Sequence, residues 1–180
     1  MPFSVDPSAM EIATSALLVA VALVASYTDL RSRRIYNKLT YGAAIAGLAL
    51  NTVAYGLDGS LSSVKGWLLG AGVLLAFFLL KAMGAGDVKL LAAVGAIKGP
   101  AFVLNAFVFT GLAGGLIAVF VLLRQRRMRQ ALGGMVFELG NLVMFKQLPQ
   151  RESVGATSLG VPYGPAIALG SLAALAATLL

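Results

Sequence analysis

Residues 101–123, AFVLNAFVFTGLAGGLIAVFVLL, contain no charged side chain. A bilayer accepts about 20 such residues as one crossing helix. Comparable apolar runs recur near 10–28, 39–57, 61–80, 88–99 and 159–180. Lipid offers the backbone no hydrogen-bond partner, so segments of this kind must bond internally as helices. The pattern predicts an all-α polytopic membrane protein of about six transmembrane helices, forming one domain over residues 1–180. Segment 88–99 is short for a full crossing, so it is expected to tilt or to continue past Gly99-Pro100 as a broken helix. Composition agrees with this class: 59% of the 180 residues are hydrophobic, 12% are charged, and the mean hydropathy is +0.89. The leader MPFSVDPSAME holds two acids and no base, so segment 10–28 is expected to be a membrane helix rather than a secretory signal.

The basic residues orient the helices. Arg31, Arg33, Arg34 and Lys38 follow the first segment, Lys81 and Lys89 flank the third loop, and Arg124, Arg126, Arg127, Arg129, Lys146 and Arg151 occupy the fifth. These alternate loops share one side and hold all but Lys65 and Lys98 of the 14 Lys and Arg residues. The positive-inside rule makes that side cytoplasmic, with both termini outside. The net charge of +7 is thus a topology signal, and nucleic acid is not an expected partner.

The loop 124–158 is the one sizeable polar segment. It opens with RQRRMRQ, a charge cluster suited to resting on anionic lipid headgroups. Leu132, Met135, Val136, Leu139, Leu142 and Val143 then repeat at helical spacing, which predicts an amphipathic helix in the membrane interface over about 131–145. The pairs Gly66/Gly70 and Gly111/Gly115 have the spacing of close helix–helix contacts.

With no Cys and no His, the chain lacks thiolate nucleophiles, Cys/His zinc sites and a Ser-His-Asp triad. Chemistry must rest on carboxylates, Lys, Tyr or Ser. Of seven acids, Asp6, Glu11 and Asp58 fall at the outer side, and Glu138 and Glu152 fall in the long loop. Asp29 and Asp87 remain, at the cytoplasmic end of the first segment and the start of the fourth. The topology brings them to one depth on one side, and acids at such boundaries are candidates for function. Each also has a structural explanation. Asp87, following Gly84-Ala85-Gly86, could be a helix N-cap, and Asp29 could pair with Arg31 or Arg33. A carboxylate at a helix C-terminus faces the negative end of the dipole, however, which makes Asp29 the stranger of the two. Two carboxylates brought together tend to share one proton. One can then take a proton from an attacking water while the other hydrogen-bonds the carbonyl and protonates the leaving amine. Such chemistry needs no metal and no cofactor.

The stretches DLRSRRIYNKLT, GAGDVKLL and VPYGPAIALG resemble, in that order, the three signatures of type IV prepilin peptidases, the GxGD class of membrane aspartic endopeptidases. The likeness runs from about residue 10 to 180. It implies that Asp29 and Asp87 are the catalytic pair and that Gly84 and Gly86 form the turn bringing Asp87 to its partner. It further implies that Asn37 and Lys89 lie near the site, and that Pro162, Gly164 and Pro165 shape the start of the last helix. Tyr36 stands where the family usually has proline. The implied substrate is a prepilin or pseudopilin with a short basic leader, cut at the cytoplasmic face of the bacterial inner membrane. No methyltransferase or zinc-binding insert precedes the site, so the chain is similar to the short, peptidase-only form of tight-adherence (Flp-type) pilus systems. Archaeal preflagellin peptidases share this core. A non-enzymatic pilus or secretion scaffold and a small ion-coupled transporter are the rival readings, and the oligomeric state is open.

Overall fold

A computed structural model describes residues 7–80, 83–124 and 163–179. Every regular element among them is a helix: α1 (Pro7–Ser32), α2 (Asn37–Leu79), α3 (Ala85–Lys98), α4 (Pro100–Arg124) and α5 (Tyr163–Leu179). Three of these, α1, α2 and α4, are long and apolar enough to cross a membrane, and α5 is a shorter apolar helix. The segment 131–145 expected as an amphipathic helix, the RQRRMRQ cluster beyond Arg124, Lys81 and Pro162 lie outside the described residues.

Proline opens α1 at Pro7 and α4 at Pro100, where its missing N–H costs nothing. Helix α1 turns one stripe inward: Leu18, Val21, Ala22, Ala25 and Asp29 are buried. The helix closes at Arg33, whose φ of 48° is left-handed, a conformation costing a non-glycine residue roughly 1 kcal/mol.

The segments expected at 39–57 and 61–80 are one element, α2, with no separate loop between them. Its backbone leaves helical geometry only at Gly56 (φ 61°, ψ −135°). Nonetheless α2 is not straight. Asn51 Nδ2 donates to Ser63 Oγ at 2.9 Å, and the Thr52 and Ser60 hydroxyls meet at 2.7 Å. On a straight helix Asn51 and Ser63 would stand about 18 Å apart along the axis. The arms 37–55 and 57–79 therefore fold back on each other at Gly56, where a side chain would resist the positive φ.

Helix α3 occupies the centre. Residues Leu90 to Ile97 are all buried, which explains the lack of a polar face in its sequence. Its 14 residues extend about 21 Å, short of a hydrocarbon core of about 30 Å. Gly99 (φ 86°) stops it and lets Pro100 begin α4, so the break expected at Gly99-Pro100 is present. Both arms of α2 approach α3 at backbone distance. A Cβ on Gly47 would lie 2.8 Å from Ile97 Cα, one on Gly66 would run into the Gly95 carbonyl, and one on Gly70 would lie 2.5 Å from the Leu91 carbonyl oxygen. Asn51 Nδ2 also reaches the Ile97 carbonyl at 3.0 Å, satisfying an acceptor at the helix terminus that has no intrahelical donor. Gly111 and Gly115 differ from the sequence expectation: among the described residues neither has a neighbour within 4 Å of where a Cβ would stand. Helix α5 packs on α4 and α1, with Gly170 seated against Thr110.

Candidate active site

The buried stripe of α1 ends in Asp29, and the N-terminus of α3 carries Asp87. Each is only 8% exposed. Both line one cavity of about 400 Å³, whose walls also include Arg33, Arg34, Ile35, Tyr36, Asn37, Gly84 and Gly86.

Backbone amides hold the two carboxylates. Gly164 N–H, at the start of α5, donates to Asp29 Oδ2 at 2.9 Å. Gly84 N–H donates to Asp87 Oδ2 at 3.0 Å. Asp87 is thus not the N-cap considered from sequence. Gly84 is the cap residue, and Asp87 sits three positions later, reaching back in the manner of a capping box. For Asp29, Arg31 Nη1 donates to the Tyr27 hydroxyl at 2.6 Å, while Arg33 shares the cavity wall with Asp29.

The glycines matter by what they leave out. A Cβ on Gly164 would lie 2.7 Å from Asp29 Cβ and 2.8 Å from Oδ2, so only glycine lets α5 come this close. At Gly86 a Cβ would meet Ile35 Cβ at 3.1 Å, which brings the α1–α2 link against the start of α3.

Burial pushes the Asp87 carboxyl from 3.8 up to about 6, opposed by the Gly84 N–H bond and assisted by the charge of Asp29. Desolvation disfavours the ionised form, and a like charge adds to it. A proton is therefore available on Asp87 in mildly acidic solution. Among the described residues no three His, Cys, Asp or Glu side chains gather in a way that could hold a metal.

The remaining sequence-derived residues divide. Gly84, Gly86 and Asn37 line the cavity, and Gly164 touches Asp29 directly. Lys89 stands back from the cavity and points to α2. Its ammonium donates to Asn37 Oδ1 at 3.0 Å and lies 5.5 Å from the centre of the Tyr41 ring. Lys89 and Asn37 therefore form one clamp between α3 and the start of α2. Pro165 is half-buried in the first turn of α5 and makes no bond to either carboxylate. Sequence reasoning passed over Ile35, the residue Gly86 accommodates, and Tyr41, the face under Lys89. It also passed over Tyr163, which lies within electrostatic reach of Asp87. For Tyr163 a signal existed, since it stands between Pro162 and Gly164.

The model of the type IV leader peptidase family matches residues 16–119, a span that takes in both aspartates and ends before α5. No curated protein and no solved structure matches the chain. A match over more than half of the sequence, on a chain built of apolar helices, makes this a membrane protein of a peptidase lineage: the chain belongs to the type IV leader peptidase family.

Proposed function

We propose that this protein is a membrane aspartic endopeptidase that removes the short basic leader of a prepilin or pseudopilin at the cytoplasmic face of the bacterial inner membrane. The observation that most supports it is the pair Asp29 and Asp87, buried on one cavity and each held by a backbone amide. In this reading the six membrane segments lie in α1, the two arms of α2, α3 from residue 88 onward, α4 and α5, with Asp87 just outside the fourth. Arg31, Arg33 and Arg34 mark the cytoplasmic end, where a leader retained in the cytoplasm presents its junction with an apolar helix.

Asp87, with its raised affinity for a proton, serves as the acid. It hydrogen-bonds the scissile carbonyl oxygen, and its proton later goes to the leaving amine. Asp29, oriented by Gly164, takes a proton from water as the water oxygen bonds to the carbonyl carbon. Collapse of the tetrahedral intermediate breaks the C–N bond and gives a carboxylate and an amine. Gly84 and Gly86 shape the turn before Asp87. Asn37, Lys89, Pro162, Gly164 and Pro165 position the surrounding elements, and segment 131–145 guides or covers the incoming peptide.

The test is co-expression with a candidate prepilin, following leader removal by gel shift, beside Asp29→Asn and Asp87→Asn variants that accumulate in the membrane. Cleavage by the parent and none by either variant is the expected result. Cleavage that survives one substitution removes that residue from the mechanism. A parent inactive on every prepilin encoded beside it would favour the scaffold.

A further inference from the structure

A second polar cavity, of about 460 Å³, lies at the other end of the bundle, lined by Glu11, Thr14, Asn51, Tyr55, Asp58 and Lys98 among others. Glu11 and Asp29 share α1 and stand about 27 Å apart along its axis, close to the thickness of a hydrocarbon core. The two cavities therefore open at opposite membrane interfaces, and the proposed peptidase chemistry leaves this one unused. Its charge is mixed. The Lys98 ammonium, half-buried at the end of α3, donates to Ser15 Oγ at 2.7 Å and feels the charge of Glu11. Glu11 and Asp58 are exposed carboxylates on the walls of the same cavity. Beside them in the chain, Ile12 and Leu57 are 69% and 83% exposed, apolar surface suited to acyl chains.

We infer that this cavity binds the headgroup of a zwitterionic aminophospholipid, with the phosphodiester on Lys98 and the primary ammonium between Glu11 and Asp58. The lining selects this class by charge. An anionic headgroup without an amine would pair its phosphate with Lys98 and leave the two carboxylates beside it without a cation of their own. A choline headgroup cannot donate a hydrogen bond to either acid, and a single Tyr55 ring is no aromatic cage for it. A volume of this size is within the range of small-ligand sites.

The experiment compares thermal unfolding of the full chain in nanodiscs of phosphatidylcholine doped equally with phosphatidylethanolamine, with phosphatidylglycerol, or with neither. Phosphatidylethanolamine should raise the midpoint by about 3 °C over the other two. Lys98→Met should erase that difference. Glu11→Gln with Asp58→Asn, at exposed positions that fold readily, should transfer the preference to phosphatidylglycerol, because only the cation then remains. Equal midpoints in all three discs overturn the inference, as does an ethanolamine preference that persists in the doubly neutralised variant. Neither readout depends on peptidase activity, so the outcome is separate from that of the cleavage test.

Discussion

The amide of Gly164 donates to Asp29 Oδ2 at 2.9 Å from 135 positions further along the chain. This bond joins the first helix to the last and fixes the direction in which one of the two buried carboxylates points. Its length depends on a missing methyl group. Gly164→Ala would place a carbon 2.7 Å from Asp29 Cβ, so α5 must retreat or Asp29 must rotate. A displacement of this kind costs a catalytic constellation about 100-fold in rate. If the proposed activity holds, Gly164→Ala is expected to accumulate in the membrane and to cleave prepilin about 100-fold more slowly, as read by a time course of leader removal.

On the proposed reading Asp87 is the acid, and this sets a pH dependence. Its folded value of about 6 means that the protonated form is lost as pH rises through that point. The kcat/KM of the purified enzyme should fall about tenfold per unit above it, because this ratio reports the free enzyme. A profile flat from pH 6 to 8 would assign the acid elsewhere.

Stability should carry the same signature with its own sign. A carboxyl raised from 3.8 to about 6 binds its proton more tightly in the folded state than in the unfolded one. Stability from this group is therefore present below 3.8 and is lost as pH rises through about 6. Asp87→Asn keeps an acceptor for the Gly84 N–H without the buried charge. The variant should match the parent at pH 4 and exceed it at pH 8 by on the order of 2 kcal/mol, as measured by reversible unfolding in mixed micelles.

Gly66 and Gly111 make a paired test of packing. Gly66→Ala would drive a carbon into the Gly95 carbonyl, whereas at Gly111 no described residue lies within 4 Å of the added carbon. Overpacked sites cost about 1–3 kcal/mol, and rigid backbone leaves little room for relief. Gly66→Ala should lower the unfolding midpoint by several degrees, and Gly111→Ala should leave it unchanged.

The clamp between Lys89 and Asn37 (3.0 Å) predicts non-additivity. Lys89→Met and Asn37→Ala should each destabilise, and the double variant should lose less than their sum by about 1 kcal/mol. A full double-mutant cycle in unfolding free energy checks it. Additive losses would mean that the two side chains act apart.

Much of this architecture could be read in the chain. Runs of apolar residues foretold the helices, and helical spacing from Leu18 through Ala22 and Ala25 leads directly to Asp29 on the buried face. Gly66 and Gly70 announced a close contact. Identical spacing at Gly111 and Gly115 announced nothing, because spacing says that a helix can be approached and the neighbour decides whether it is. The sequence also suggested an N-cap at Asp87, although only the backbone path could tell that Gly84 holds that place. Partners such as Ile35 for Gly86 and Tyr41 for Lys89 are tertiary facts, and no local pattern records them. The fold-back at Gly56 was legible as two apolar segments. That one residue suffices to reverse the helix depends on a positive φ, which glycine permits without signalling.

The Gly164–Asp29 bond also bears on biosynthesis. A ribosome delivers Asp29 early and Gly164 late, so a nascent chain already containing both aspartates still lacks the amide that orients the first. On the proposed reading, the growing polypeptide holds both carboxylates while one of them is still unoriented. Full activity then waits on the order of synthesis, and α5 is the element that completes the pair.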